Sequence, residues 1–280
     1  MNVTLPENKV DKKSIVIYSL IIGICILSII LVIYAQFFDG KTVTKEGNLQ
    51  GKSGESYEVL KSKFNDLFTN NLQNYDEKYN SKKAESYNEL IYTSYAKNEN
   101  VDKNYNLNVN IPRININNST INKYNEEIKS TFQTKAEEVL NTKNKKITYT
   151  VQYSGYIQDG ILSLIIKADL QEGTKVQRTI IKTYNYNLEE GTEVNLKTLL
   201  NMENVNESKV QNRVNEELKI AKNNADKIKE NGYSVYERDL NSSNYNIENI
   251  QNFYFHNGSI YIIFAYGNET STSEVDIAII

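Results

Sequence analysis

The sequence has little of the chemistry that metal and redox sites require. Its 280 residues include one cysteine, one histidine and no tryptophan. A single cysteine cannot form an internal disulfide, and nowhere in the sequence do cysteine and histidine recur at the spacing of zinc ligands. We therefore expect no disulfide scaffold, no zinc site and no cofactor.

An excess of basic residues is also missing. The formal net charge is -3, from 32 Lys and Arg against 35 Asp and Glu. Because nucleic-acid binding needs basic faces, nucleic acid is not an expected partner. A mean hydropathy of -0.56 indicates a polar body, so any membrane part must be local.

Long hydrophobic runs are confined to one segment near the N-terminus. Residues 14–38 contain no charged side chain, and a helix of ~20 residues is enough to cross a bilayer. The run is longer than the apolar core of a cleaved signal peptide, and Ile33 and Tyr34 are unsuited to a cleavage site. The only cysteine follows a bulky residue, whereas a lipoprotein signal requires a small one. The sequence thus predicts an uncleaved transmembrane helix, with its membrane span from Ile15 to Phe38.

The flanking charges orient this helix. Three lysines lie within residues 9–13, whereas Asp39 follows the apolar run directly. The positive-inside rule then makes 1–13 a short cytoplasmic tail and places 39–280 outside the cell membrane. The exported part has 29 basic and 33 acidic residues, a net charge of -4, and no cysteine. This composition suits a single-pass bacterial protein whose exported body does not rely on disulfides.

Residues 39–88 are predicted to form a linker and a juxtamembrane helix. Their first part, 39–55, is polar and contains glycine, as linkers do. In the stretch that follows, apolar side chains recur at helical spacing: Leu60, Phe64, Leu67 and Phe68. This stripe leaves two alternatives open, docking on the body of the protein or pairing with a second copy.

From residue 89 onward, strand and helix patterns alternate. The sequence predicts strands at 90–95, 106–112 (ending at Pro112), 147–153, 161–170 and 178–188. Strict alternation of apolar and polar residues in "ITYTVQY" is typical of a half-buried antiparallel strand.

Two amphipathic helices are predicted from apolar residues at three- and four-residue steps. The first runs over 121–139 with Ser119 or Thr120 as its N-cap, and the second over about 206–228. A polar segment at 142–146 separates two expected subdomains, which are the ranges 89–145 and 146–280.

The only histidine stands beside a turn. The pair Asn257-Gly258 lies between "FYF" and "SIYIIF", and an Asn-Gly pair between alternating apolar runs is a strong hairpin signal. A general base would need an orienting carboxylate and a nucleophile, and no motif supplies either. We therefore expect His256 to be solvated, to flank the turn and to do no chemistry.

The order of these motifs resembles one extracytoplasmic family. The quoted elements are "VNIPRI", a helix with an apolar stripe, "ITYTVQYSGYIQDGILSLIIKADL", "KTYNYNLEEGTEVNLKTLL" and "IYIIFAYG". Together they are similar to the paired-domain module of RsiV/PdaC-like proteins, which occurs in lysozyme-sensing anti-sigma factors and in peptidoglycan deacetylases. The resemblance covers most of 90–280. It implies an α+β fold with antiparallel sheets covered by helices on one side, which agrees with the patterns above.

The resemblance also implies a ligand-contact site. In the anti-sigma members, a loop after the last hairpin strand, usually Pro-Tyr-Glu, contacts lysozyme. The matching positions are Ala265, Tyr266 and Gly267, followed by Asn268, so that only the tyrosine is kept. Tyr266 is expected either to anchor an interface from an exposed loop or to pack over the edge of the sheet. Residues 1–13 are too few for a sigma-factor-binding domain.

Three functions are compatible with these patterns. The leading expectation is a binding or sensor module, and not an enzyme, that recognises peptidoglycan or an extracellular protein such as lysozyme. The first alternative is a structural or assembly role, in which the membrane span and the 57–72 helix form homo-oligomers or contact another membrane protein. The second is a cell-wall hydrolase with two carboxylates ~5–9.5 Å apart, for which Glu203, Glu269 and Glu274 are available.

Overall fold

The computed structural model describes residues 55–143 and 145–280. The predicted cytoplasmic tail, the transmembrane helix and most of the linker lie outside these residues. Across the part that is described, no helix combines the length and the apolar character needed to cross a bilayer.

The strands, in chain order, are β1 (Leu72–Gln73), β2 (Ile91–Val101), β3 (Tyr105–Ile114), β4 (Ile147–Gln158), β5 (Ile161–Glu172), β6 (Arg178–Asn187), β7 (Thr192–Glu193), β8 (Phe253–His256), β9 (Ser259–Ala265) and β10 (Val275–Ile279). The α-helices are α1 (Tyr57–Ser62), α2 (Ser119–Ile128), α3 (Thr134–Leu140), α4 (Leu196–Met202) and α5 (Glu207–Glu230). Each of the five predicted strands and both predicted body helices is therefore present.

Seven strands form the large sheet, in the order β2-β3-β4-β5-β6-β7, with β1 also paired to β4. The pairs β3–β4 and β1–β4 are parallel, and the other described pairs are antiparallel. The α+β class is confirmed, but the expectation of a purely antiparallel sheet is wrong. A parallel neighbour needs a crossover connection, and α2 and α3 form that crossover between β3 and β4.

The crossover helices cover one face of the large sheet. A π-helical turn at Lys129–Gln133 joins α2 to α3. The six residues that predicted this helix are all buried on the sheet: Ile121, Tyr124, Ile128, Phe132, Ala136 and Val139. The predicted N-cap is wrong, because Asn118 takes that place. Its extended backbone lets the side-chain oxygen accept a hydrogen bond from the Thr120 N–H at 2.8 Å.

Strand β3 continues past Pro112, where the sequence predicted its end. The register between β2 and β3 shifts between Thr93 and Tyr95, directly opposite this proline. A bulge tolerates a residue that cannot donate a ladder hydrogen bond, so the strand extends to Ile114.

The small sheet has the order β10-β9-β8 and is antiparallel. Asn257 and Gly258 close the β8–β9 hairpin with φ angles of 48° and 75°, as the Asn-Gly pair predicted. Alternate side chains of β9 point to opposite faces. Tyr261 packs with residues of the large sheet, whereas Ile262 packs with α4 and α5. The layers are therefore α2–α3, large sheet, small sheet and α4–α5.

Helix α5 forms the outer layer over the small sheet. It begins after the N-cap Asn206 and ends two residues beyond the predicted range. Of the apolar residues at three- and four-residue steps that predicted this helix, Ala221 is half-buried and the others are buried: Val210, Val214, Leu218 and Ala225.

The juxtamembrane stretch docks on this body. Helix α1 is followed by a 3-10 turn at Phe64–Leu67, and Leu60, Phe64 and Phe68 are buried against the small sheet. The Lys61 ammonium lies 2.8 Å from the buried Glu217 carboxylate of α5. Of the two alternatives that the sequence left open, docking on the body is the one observed.

The proposed division at 142–146 falls between paired strands. β3 precedes it, β4 follows it, and Tyr105–Val109 pairs with Ile147–Val151. All described residues belong to one compact unit, because the sheet and its core continue across this point.

Replacement of Phe64 by Ala should test the docking of α1. The ring is 6% exposed and packs on Phe68 and Tyr261, so its loss should lower the free energy of unfolding by about 3–5 kcal/mol. Urea unfolding of the 39–280 fragment measures this effect. Val59→Ala, at a 40% exposed position of α1, should change it by no more than about 0.5 kcal/mol. A Phe64→Ala protein of normal stability but smaller oligomeric mass would instead place Phe64 between copies.

Candidate functional site

A cleft of about 300 Å³ opens between β9 and the segment that follows α5. This segment, 233–252, contains two short 3-10 turns, Ser243–Tyr245 and Ile247–Asn249, and no strand. The predicted contact residues Ala265, Tyr266 and Asn268 line one wall of the cleft. The opposite wall includes Tyr236, Asp239, Ser242, Asn244, Tyr245 and Asn249.

A buried ion pair fixes the 233–252 segment to the small sheet. The Arg238 guanidinium donates to both carboxylate oxygens of Asp276 in β10, at 2.6 and 2.9 Å. It also lies 3.0 Å from the Glu274 carboxylate. Burial alone would lower the pKa of Arg238, but the hydrogen bond and charge of Asp276 outweigh it and raise the pKa. Arg238 therefore stays charged and holds the cleft wall in place.

Tyr266 belongs to this buried network. Its hydroxyl donates to Asp276 at 2.7 Å and lies 3.2 Å from the Tyr245 hydroxyl, and its ring stacks on Tyr236 with centroids 3.9 Å apart. Burial, and to a lesser extent the charge of Asp276, raise the pKa of the Tyr266 hydroxyl. The hydroxyl therefore stays protonated and can donate. The ring is 7% exposed. Of the two predicted positions for Tyr266, packing against the sheet is the one observed, and an exposed anchor is not.

The neighbours of Tyr266 dock on the free edge of β6. The Asn268 side chain accepts from the Ile181 N–H at 2.9 Å and donates to the Ile181 carbonyl at 2.6 Å. The Gly267 carbonyl accepts from Arg178. A Cβ at position 267 would overlap the Thr179 carbonyl and lie 2.6 Å from that of Thr272, so only glycine fits this approach. The Asn268 side chain thus satisfies the Ile181 backbone N–H and carbonyl, as a neighbouring strand would.

The charged groups that the cleft exposes to solvent belong to other residues. Asp239 and Glu269 are exposed and line it, and neither forms an ion pair with another described residue. The two other charged residues of its lining are paired, Glu237 with Lys229 and Lys182 with Glu127. The cleft therefore presents two carboxylates beside tyrosine rings and side-chain amides.

His256 is not solvated as expected. It is half-buried, and its ring centroid lies 4.3 Å from that of Tyr156 and 5.6 Å from that of Tyr254. Burial lowers the pKa of the imidazole. The sequence placed it correctly beside the turn, but Tyr156 lies 100 positions away, and nothing in the local pattern indicates that this ring covers it.

The three carboxylates available for a hydrolase lie in different surroundings. Glu269 is exposed in the cleft. Glu274 accepts from the Tyr236 N–H at 2.6 Å and pairs with Arg238, and Glu203 is the C-cap of α4. Across residues 55–143 and 145–280, no group of three or more His, Cys, Asp and Glu residues could hold a metal ion.

Tyr266→Phe should lower the free energy of unfolding. The change removes a hydroxyl that bonds Asp276 within a buried network, so we expect a loss of about 1–3 kcal/mol in urea unfolding. The matched control is Tyr233→Phe, because the Tyr233 side chain is 69% exposed and its hydroxyl should contribute nothing measurable. Equal stability of wild type and Tyr266→Phe would contradict the network.

The stability of the protein should depend on the ionisation of His256. The unfolded imidazole has a pKa of about 6.5, and burial lowers it in the folded state. Below about pH 6.5 the imidazole is therefore protonated in the unfolded chain, whereas in the folded chain it is protonated only at lower pH. Because the unfolded chain binds more protons in this range, acidification favours unfolding. Between about pH 7.5 and about pH 5, wild type should lose more stability than His256→Gln. The carboxylates titrate in both proteins, so their effect on stability cancels in the comparison. If the two curves of unfolding free energy against pH were parallel, His256 would have its ordinary pKa in the folded state.

No protein-family model and no curated protein matches the sequence. The resemblance to the paired-domain module therefore stays a prediction, which rests on the order of the quoted motifs.

Proposed function

We propose that this chain is a membrane-anchored extracytoplasmic binding module of the RsiV/PdaC type. Its ligand is a cell-wall component or an extracellular protein such as lysozyme, bound in the cleft between β9 and the 233–252 segment. One observation carries the proposal: the half-buried Tyr236 ring, side-chain amides and two exposed carboxylates converge on a cleft whose wall is fixed from inside by Arg238.

The composition of the cleft suits recognition. Tyrosine is enriched where proteins bind partners, since one side chain supplies apolar area and a hydrogen bond. Tyr236 is half-buried in the lining and can act in this way, whereas Tyr245 and Tyr266 are buried and bonded within the network. Amides of Asn244, Asn249 and Asn252 can donate to and accept from a ligand. Because the Arg238–Asp276 pair already orders the wall, binding does not have to supply that ordering.

The charges favour a ligand with positive groups. Asp239 and Glu269 stand in the cleft with no ion-pair partner among the described residues, and the predicted exported part has a net charge of -4. Complementary charge speeds encounter and excludes like-charged partners. Peptide amines of the wall and basic side chains of a protein both meet this requirement.

The alternatives receive less support. An assembly role for the 57–72 stretch would use Phe64 and Phe68, which are buried within the chain. A hydrolase would need two free carboxylates, one of them in surroundings that keep it protonated as the general acid. Glu274 is held by Arg238 and a backbone N–H, and the two free carboxylates of the cleft, Asp239 and Glu269, are both exposed to solvent.

Calorimetric titration of the 39–280 fragment should test the proposal, with lysozyme and soluble muropeptides as separate ligands. We expect micromolar or tighter binding of one of them. The double change Asp239→Asn and Glu269→Gln should weaken it by about tenfold or more, which corresponds to about 1.4 kcal/mol. Added salt should weaken the wild-type interaction.

Two comparisons make the result specific. Glu230→Gln, at an exposed carboxylate outside the cleft, removes a charge elsewhere and should leave the affinity unchanged. Tyr266→Ala is unsuitable as a binding variant, because it removes a buried ring. Absence of binding by either ligand would reject these ligands, and unchanged affinity of the double variant would place the site outside the cleft.

A further inference from the structure

A pocket separate from the cleft lies where the end of β3 meets the junction of α2 and α3. It has a volume of about 210 Å³. We call it the bulge pocket and define it by Ser94, Ile111, Arg113, Asn125, Lys129 and Gln133. None of the residues that line it also lines the cleft.

Two irregularities of the backbone meet at the bulge pocket. In β2, Ser94 is the extra residue of the bulge, and its hydroxyl donates to the Ile111 carbonyl of β3 at 3.2 Å. Between α2 and α3, Lys129 and Gln133 are the first and last residues of the π-helical turn. Bulges and π-helical turns both interrupt a regular hydrogen-bond pattern, and both occur often beside functional sites. Their convergence on one pocket distinguishes this part of the large sheet.

Asn125 fixes α2 to the end of β3 at this pocket. The side chain is buried, its oxygen accepts from the Ile114 N–H, and its nitrogen donates to the Ile114 carbonyl, both at 2.9 Å. Buried polar groups that are paired in this way hold their two elements in one arrangement. The two walls of the pocket are therefore in place before a ligand enters, which lowers the cost of binding.

The charged side chains of the bulge pocket are both cations. Arg113 forms one ion pair, with the exposed Glu85 at 3.8 Å, and its guanidinium donates no hydrogen bond to a described residue. The Lys129 ammonium has neither an ion pair nor a hydrogen bond among the described residues. No carboxylate lines the pocket, since Glu85 lies outside the lining. The pocket therefore gathers two cations whose hydrogen-bond donors are unused.

Such a site is suited to an anion. Like charges on one small pocket repel each other, and a negative group between them removes that repulsion. A guanidinium binds carboxylate and phosphate groups through two parallel hydrogen bonds, and an ammonium adds a compact charge. The exposed pair of Arg113 with Glu85 is of the weak surface kind, so an entering anion can replace that carboxylate.

We propose that the bulge pocket binds a small oxyanion, which is the carboxylate or phosphate group of its ligand. Arg113 would hold two of the oxygens, and Lys129 would neutralise the remaining charge. The pocket is smaller than the usual site of a drug-sized molecule, so the rest of a larger ligand would lie outside it. The proposal does not depend on the function assigned to the cleft, whose carboxylates favour ligands of the opposite charge.

Inorganic phosphate and acetate distinguish the two classes of group. The chain has four arginines, Arg113, Arg178, Arg213 and Arg238, so that the full chain in detergent solution, labelled with nitrogen isotope on arginine alone, gives few side-chain NMR signals. The Arg113 signal is the one that is absent from the spectrum of Arg113→Gln. The other three guanidinium groups are bound to carbonyl or carboxylate groups of the protein and serve as internal references.

The expected result is a saturable shift of the Arg113 signal with phosphate, acetate or both in the millimolar range, at an ionic strength kept constant with sodium chloride. The ion that shifts the signal identifies the class of ligand. Lys129→Gln should weaken the binding about tenfold, because it removes a charged hydrogen bond. The matched control is Lys123→Gln, which should bind as wild type does. Lys123 is exposed on the same helix, lies outside the pocket and has no ion pair among the described residues.

Thermal unfolding of the variants keeps this outcome free of folding effects. Because Lys129 is exposed, Lys129→Gln should unfold at the wild-type temperature, and its lost binding can then be attributed to the site. A shift that rises linearly with concentration, no shift with either ion, or equal affinity in Lys129→Gln and wild type would overturn the proposal. An equal loss of affinity in Lys123→Gln would also overturn it, since the total charge of the chain would then explain the binding.

Discussion

The packing of the small sheet on the large one is the constraint on which the cleft depends. Three buried hydrogen bonds join the sheets through β8, and a fourth, between Ser163 and Asn185, lies within the large sheet. The Ser163 Oγ donates to the Asn185 side-chain carbonyl at 2.6 Å and accepts from the Phe255 N–H at 3.4 Å. Asn185 in turn donates to the Phe253 carbonyl at 3.0 Å, and the Tyr254 hydroxyl bonds the Ser154 hydroxyl at 3.3 Å. Because these groups are buried and paired, a slip of β8 would leave several of them unsatisfied.

This register fixes the two ends of β9. The strand is seven residues long, or about 20 Å from end to end. Ser259 at its start pairs with His256 beside the β8–β9 turn, and Ala265 at its end lies in the wall of the cleft. The side chains between them, such as Tyr261 and Ile263, fill the space between the sheets.

The sequence predicted the elements well because their apolar periods are regular. The alternation in β4 and the three- and four-residue steps of α2, α3 and α5 are local properties, and a local pattern is sufficient to identify them. The parallel pairing of β3 with β4 was missed, since alternation marks a half-buried strand but does not give the direction of its neighbour.

The candidate site was predicted only in outline. The family resemblance placed Ala265, Tyr266, Gly267 and Asn268 at a contact site, and all of them except Gly267 line the cleft. Their burial could not be foreseen, because the partner of Tyr266 is a carboxylate whose charge is balanced by Arg238, 38 positions earlier in the chain. Pairing over that distance leaves no local pattern in one sequence.

Burial also explains how this loop departs from the Pro-Tyr-Glu pattern. The retained tyrosine holds Asp276 and stacks on Tyr236, so its role is to organise the cleft wall. The glutamate position is Gly267, whose backbone lies so close to β6 that no side chain fits. A carboxylate at that position is therefore incompatible with the docked edge. The carboxylates that face the cleft are instead Asp239, in the segment that Arg238 holds, and Glu269, two residues further along the loop after β9, so the proposed recognition would use both walls of the cleft.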